Sequence, residues 1–311
     1  MNTSKNKGIW EYSSIYSYKI STHNQITLGE GNTPIERLKF LEIDTGIPTI
    51  YAKREDKNPT GSAKDRSISF FFSYLKSKGI NEVIIPSSGN TAISAAYYSK
   101  LTNITVYLFI SDNLSNIKNE RLKKALQNNT HIKVIESKRP LSDSIKYSLK
   151  NNIELFRGSS SKIAIEGYKS LGEELSLIRA DALFIPVSSG TTLVGLSSKI
   201  NSGCHINIVQ NSKINTISKL FDNNFTSEKI SLSDSIVARV TERKKTVEDI
   251  VNKSKGWGWT IENSEIEKYH ELLEKNGIIT SFESSMTIAA LIKAIKNGYK
   301  FKKVILCFTG I

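Results

Sequence analysis

The stretch Val83-Ile84-Ile85-Pro86-Ser87-Ser88-Gly89-Asn90-Thr91-Ala92 decides the fold class. Its first half is a β-branched apolar run closed by proline, the pattern of a strand buried on both faces. Its second half is a Ser-Ser-Gly turn leading into a small-residue helix that contains Ala92, Ala95 and Ala96. A strand feeding a helix in this way is the repeating unit of parallel α/β proteins. Backbone N–H groups and hydroxyls at the helix start form a cradle for an anion such as a carboxylate, and Gly89 allows close approach. Taken alone, the loop reads equally as an ordinary capped helix. Ala182 to Val187 repeats the logic, running into Ser188-Ser189-Gly190-Thr191-Thr192-Leu193-Val194-Gly195, a loop suited to phosphate. It has neither the Walker lysine spacing nor GxGxxG, which argues against a nucleotide.

Outward from these two stretches, Ile104 to Ile110, Ile132 to Glu136, Ile153 to Phe156, Ile206 to Gln210 and Val304 to Phe308 read as further strands. Ile288, Leu291, Ile292 and Ile295 share one helical face, as do Ile266, Tyr269, His270 and Leu273. Ser264 and Glu267 have the spacing of a capping box at the start of that second helix. Trp257 and Trp259 flank Gly258 in a strand or turn, where aromatic packing is expected.

With 311 residues, 39% of them hydrophobic and 23% charged, the chain has the composition of a folded globular protein, not of a disordered or fibrous one. Its apolar runs fall far short of the roughly 20 residues of a membrane span. Met1 to Gln25 has no apolar signal core, so a cytoplasmic location is expected. Cys204 and Cys307 fit neither a disulfide framework nor a CxxC ligand pair and are expected to be buried. The net charge of +13 suits nucleic acid or anionic metabolites. The basic residues are scattered, with short clusters at Arg121 to Lys124 and Arg243 to Lys245, and no nucleic-acid motif accompanies them. His23, His131, His205 and His270 are isolated, so no metal site is expected.

The lysine of Lys57-Asn58-Pro59-Thr60-Gly61-Ser62-Ala63-Lys64-Asp65-Arg66 stands where a turn-forming run meets a helix start. Partial desolvation there would favour the neutral amine, able to form a Schiff base with an aldehyde cofactor. Alone, Lys64 reads more readily as a solvated surface lysine than as a catalytic one. The segments 57–66, 83–92 and 182–195 occur in an order that resembles the threonine synthase branch of the fold type II pyridoxal 5'-phosphate enzymes. Their superfamily also holds cysteine synthases and tryptophan synthase β chains. Leu28-Gly29-Glu30-Gly31-Asn32-Thr33-Pro34, Glu166-Gly167-Tyr168-Lys169-Ser170, Glu283-Ser284-Ser285 and Thr309-Gly310 extend the resemblance over nearly the whole chain.

The resemblance implies a two-lobed α/β protein, each lobe a twisted, mostly parallel sheet flanked by helices. Residues 41–155 would form the smaller lobe, and 1–40 with 156–311 the larger, with a homodimer expected. It implies that Lys64 carries the Schiff base and acts as general base. Asn90 would meet the cofactor's phenolic oxygen, Ser188, Ser189, Gly190, Thr191 and Thr192 its phosphate, and Thr309 its pyridine nitrogen. Ser87, Ser88, Gly89, Thr91 and Ser159 would bind substrate, and Glu283 is read as structural. The activity implied is a lyase or synthase reaction of amino-acid biosynthesis, O-phosphohomoserine to threonine being the best named case.

Departures from that branch shape the alternatives. Ala164 stands where an arginine for the substrate's phosphate is expected, and Gly158 replaces the asparagine before Ser159. Ala63 replaces a phenylalanine, the 188–195 loop is nearer to that of cysteine synthases, and the tail following Thr309-Gly310 is expected to be absent. The first alternative is therefore β-replacement or dehydration of serine, threonine or O-activated serine. An alternative of another class is a catalytically silent binding protein.

Overall fold

The computed structural model describes residues 7–111 and 116–311. Met1 to Asn6, the start of the segment read for a leader, lie outside the described residues. The strands are β1 (Ile35–Arg37), β2 (Thr49–Arg54), β3 (Glu82–Pro86), β4 (Thr105–Ser111), β5 (Ile132–Ser137), β6 (Glu154–Leu155), β7 (Ala182–Pro186), β8 (His205–Asn211), β9 (Gly258–Ile261) and β10 (Lys303–Phe308). The helices are α1 (Lys39–Thr45), α2 (Lys64–Ser77), α3 (Asn90–Ser99), α4 (Asn116–Leu126), α5 (Pro140–Asn151), α6 (Ile163–Glu166), α7 (Lys169–Ser176), α8 (Thr191–Ser197), α9 (Lys244–Lys253), α10 (Asn263–Lys275) and α11 (Phe282–Lys296). Among the described residues no helix is long and apolar enough to cross a membrane.

The chain divides into two compact units, Met1–Gly31 with Lys64–Ser170 and Asn32–Ala63 with Leu171–Ile311. These bounds differ from the division expected at 41–155. Thr49 to Arg54 pair along β10, which takes residues 41–63 into the second unit. The amino-terminal segment packs with the first unit, where Trp10 stacks on Phe70 of α2 at 5.5 Å and Tyr16 meets the same ring edge-on.

The first unit carries a four-stranded sheet of order β5-β4-β3-β6, parallel throughout. Successive side chains of a strand point to opposite faces, and both faces here are apolar. Val83, Ile85, Val106 and Leu108 enter one cluster, Ile84, Tyr107 and Phe109 another. The second unit holds a six-stranded sheet of order β1-β2-β10-β7-β8-β9, antiparallel only between β1 and β2. Its strands alternate likewise, Ala182, Phe184, Val304 and Leu306 on one side against Leu183, Ile185, Ile305 and Cys307 on the other. This two-sided burial is why β3, β4, β7 and β10 read as nearly continuous apolar runs, whereas the edge strand β5 is partly exposed and carries Lys133 and Glu136.

Two local expectations meet different outcomes. The tryptophan pair packs as expected, with Trp259 buried, its Nε1 donating to Asn207 Oδ1 at 3.0 Å and its ring edge-on to Tyr299. The capping box at Ser264 does not form, because α10 begins at Asn263, with Glu262 two residues upstream of Ser264 as its cap and no side-chain capping bond. Glu262 Oε1 instead accepts from Thr226 N, and Asn263 Oδ1 from Leu232 N, so these side chains anchor the preceding loop. Cys204 and Cys307 are both buried, and burial pushes the Cys204 thiol up to about 12.

Glu30 ties the amino-terminal segment to the first unit. Its Oε2 accepts from Thr27 Oγ1, Leu28 N and Tyr98 OH, the last at 2.7 Å, while Oε1 is buried without a hydrogen-bond partner among the described residues. Burial raises its carboxyl above the ordinary range, against the opposing pull of these donors and Ser69. The folded state therefore binds this proton more tightly than the unfolded chain does. Its contribution to stability is full below the ordinary carboxylate range and is lost as pH rises through the raised value. Glu30→Gln removes the titration, so the pH slope of the urea midpoint above the ordinary carboxylate range is expected to flatten, whatever the substitution costs overall. An unchanged slope would show that Glu30 does not titrate there.

Candidate active site

Apart from Lys64, each unit's sequence-predicted residues follow the carboxyl ends of parallel strands, where open α/β sheets bind ligands. In the first unit, β3 leads into Ser87 to Thr91 and β6 into Arg157 to Ser161. Ile84 pairs with Leu155, and continuing that register sets Pro86 beside Arg157, so Ser87 and Ser159 follow neighbouring strands. Ser88 Oγ accepts from Ser111 N at the end of β4, at 2.8 Å, which links the loop to a third strand end. Asn90 opens α3, with Gly89 as its cap. A Cβ at Gly89 would meet nothing within 4 Å, so the loop faces open space at that point.

Lys64 is the first residue of α2, the loop-to-helix junction expected from sequence. It is half-buried, with Nζ 5.9 Å from the centroid of the Tyr168 ring. The first turn of this helix is fixed from behind. Arg66 Nη1 donates to Ser170 Oγ, and Ser67 Oγ to Ala164 O, both at 2.8 Å. Gly167 presses on the same turn so closely that a Cβ there would lie 2.5 Å from Arg66 C and 2.9 Å from Ser67 N. The 166–170 motif thus acts as a seat for the helix that presents Lys64. Ala164, where an arginine was expected, is fully buried in the cluster that holds Phe71 and Phe156, and contributes no charge.

In the second unit, β7 leads into the 188–192 loop and β10 into Thr309. These strands are adjacent, Leu306 opposite Phe184, so continuing the register sets Phe308 beside Pro186 and Thr309 near the loop. Gly190 adopts φ +87° as the cap of α8, and a Cβ there would meet Val247 Cγ2 at 2.5 Å. Both the left-handed backbone and the close approach of α9 require glycine. Ser188 Oγ accepts from Val237 N and Ala238 N, Thr241 Oγ1 donates to Ser189 O, and the Ser189 and Thr191 hydroxyls lie 3.0 Å apart. Hydroxyls beside the first amides of α8 form a donor set with no carboxylate in it, a chemistry that fits a phosphate.

Ala63 N donates to Thr309 O at 3.0 Å, and Ser62 bridges to Gly310. Lys64 is therefore joined by one peptide bond to a residue held by Thr309. Glu283, in the first turn of α11, is buried and accepts from Ser235 N at 2.7 Å, in keeping with a structural part. Arg121 was not singled out from the sequence. Its Nη1 lies 3.5 Å from Asn90 Oδ1. It sat unnoticed in a basic cluster, and the only signal was its place between Asn90's unit core, through Leu122 and Ala125, and the exposed Lys123 and Lys124.

The chain belongs to the pyridoxal-phosphate dependent enzyme family, which matches residues 26–310. Pyridoxal phosphate is thus its cofactor, and the donor sets above fit that group. Among its relatives, the threonine synthase of Methanocaldococcus jannaschii is 28% identical over 189 residues, covering 58% of this chain and 45% of that protein. The chain spans about half the length of the curated relatives it matches first. The threonine synthase of Bacillus sp. (strain ULM1) is 25% identical over 317 residues, covering 92% of this chain and 84% of that one. In fold, the chain is similar to a pyridoxal 5'-phosphate-dependent aspartate racemase, with a TM-score of 0.73 at 18% identity over 89% of each chain. It is likewise similar to the O-acetylserine dependent cystathionine beta-synthase of Helicobacter pylori, with a TM-score of 0.73 at 20% identity over 90% of this chain and 93% of that one. The fold is that of the fold type II enzymes.

Proposed function

We propose that this protein is an amino-acid lyase or synthase of the threonine synthase type. It removes the α-proton of a small amino acid and then eliminates or replaces a group at the β or γ carbon, with O-phosphohomoserine to threonine as the named reaction. The observation that carries the reading is the bond from Ala63 N to Thr309 O, which couples the turn before Lys64 to the end of β10. The relative named threonine synthase that aligns with 92% of the chain supports it.

Pyridoxal phosphate, when bound, supplies an electron sink for the negative charge that develops at the substrate's α-carbon. In this reading the Lys64 Nζ takes the α-proton, and the seat formed by Gly167 and Ser170 keeps its helix in place. The hydroxyls and amides of Ser188 to Thr192 hold the phosphate, and Asn90 meets the phenolic oxygen. Thr309 presents a neutral hydroxyl to the pyridine nitrogen, which unlike a carboxylate does not hold a proton there and so favours elimination and replacement over transamination. Ser87, Ser88, Gly89 and Thr91 bind the substrate carboxylate, and Ser159 its distal end. A cytoplasmic homodimer belongs to the same proposal.

Ala164 favours a second reading, β-replacement or dehydration of serine, threonine or O-activated serine. Its position lies in the apolar core, and an arginine's paired grip on phosphate is absent from it. Steady-state assays with O-phosphohomoserine, O-acetylserine, serine and threonine separate the two. Threonine and phosphate released from O-phosphohomoserine are expected on the first reading. Turnover confined to the other three substrates would replace it with the second.

A further inference from the structure

We propose that Arg121 is a positioning residue that fixes the amide of Asn90, so that Nδ2 is the atom offered to the cofactor. This rests on the reading of Asn90 as the partner of the phenolic oxygen.

Asn90 stands half-buried at the start of α3, beside the open space at Gly89. An asparagine amide has two nearly equivalent orientations, one presenting oxygen and the other NH2. Only the NH2 can donate to a phenolic oxygen. Arg121 Nη1 approaches Asn90 Oδ1 at 3.5 Å. A guanidinium has donors alone, so it selects the amide oxygen and leaves the NH2 turned the other way. Its charge also draws electron density through the amide and strengthens the remaining N–H donors.

Arg121 is itself held in place. The residues beside it on α4, Leu122 and Ala125, are buried in the same apolar cluster as Ala92, Ala95 and Ala96 of α3, which packs the two helices together. The arrangement lies wholly within the first unit and involves none of the residues that fix Lys64. A donor at the phenolic oxygen stabilises its deprotonated form, which absorbs at long wavelength, so the effect of Arg121 is visible in the spectrum of the resting protein without any substrate.

The test is the absorption spectrum of the protein supplied with pyridoxal phosphate, recorded across neutral pH, with circular dichroism to verify folding. The ratio of long-wavelength to near-ultraviolet cofactor absorption is expected to fall about two- to tenfold in Arg121→Met, the size of one hydrogen bond. Arg121→Ala serves equally should the longer side chain perturb α4. Arg121→Lys, which keeps charge and donors, is expected to recover part of the ratio. Asn90→Ala is expected to show the same fall, and Arg121→Met added to it no further one. An unchanged ratio in both Arg121→Met and Arg121→Ala would overturn the assignment, as would a full second fall in the double variant. Absence of any cofactor band in the wild type would overturn the cofactor reading and the role of Arg121 with it, whereas a normal wild-type band with unaltered variants would overturn the role of Arg121 alone.

Discussion

Lys64→Ala is expected to abolish the yellow absorption of the protein supplied with pyridoxal phosphate and to lower turnover by about 10³-fold or more, within the range that one proton-transferring group contributes. Two functions are lost at one position, since in the proposed reading the same amine holds the cofactor and moves the α-proton. The fold should tolerate the change. Lys64 is half-buried at the first position of α2, and alanine is a good helix former there. Lys64→Arg separates charge from chemistry, because guanidinium stays protonated and cannot act as the nucleophile. It is expected to be as inactive as alanine. A yellow, fully active Lys64→Ala protein would refute the catalytic part assigned to the residue, whereas a wild type without the yellow band would favour the silent binding protein.

A large effect on stability is expected from Gly167→Ala. Gly167 has a helical backbone, φ −56° and ψ −29°, so the glycine is not needed for its dihedral angles. It is needed for space, since the added methyl would lie 2.5 Å from Arg66 C, a backbone atom with no rotamer to yield. Overpacking of this kind costs about 3 kcal/mol or somewhat more. Thermal unfolding followed by circular dichroism should show a fall of several degrees, at about 2–4 °C per kcal/mol for chains of this size class. Because Arg66 lies in the first turn of α2, affinity for pyridoxal phosphate should fall together with the melting temperature. A variant as stable as the wild type would mean that the seat can open without cost.

Much of this architecture was legible before any coordinates. Runs such as Val83 to Pro86 and Ala182 to Val187 are apolar on both faces because helices cover both sides of each sheet. The loops that follow them carry glycine and hydroxyls because the backbone there must turn and donate. β2 escaped notice for an opposite reason. It places Lys53 and Arg54 in the interior, where Lys53 Nζ pairs with Glu174 at 2.6 Å and Arg54 with Asp56 at 2.7 Å. Buried charges with buried partners look like surface residues to any local pattern. The unit bounds were hidden by the same strand, since the pairing of Thr49 to Arg54 with Lys303 to Phe308 joins segments far apart in the chain. Arg121 was hidden by its neighbours, for the polar contact that distinguishes it from Lys123 and Lys124 is made to another helix. The cap of α10 was misread because Glu262 and Asn263 serve the loop before the helix.

The hydrogen bonds from Ala63 N to Thr309 O and from Ile311 N to Gly61 O also order events in time. The ribosome releases the turn before Lys64 early and residues 309–311 much later, so the nascent polypeptide carries this turn untethered through most of its synthesis. Domains form as their parts emerge, but this tether cannot form until β10 has been translated. In the proposed reading, capture of the aldehyde by the lysine in its final setting is thus a late act of biosynthesis, and a polypeptide released before Thr309 lacks the clasp that sets it.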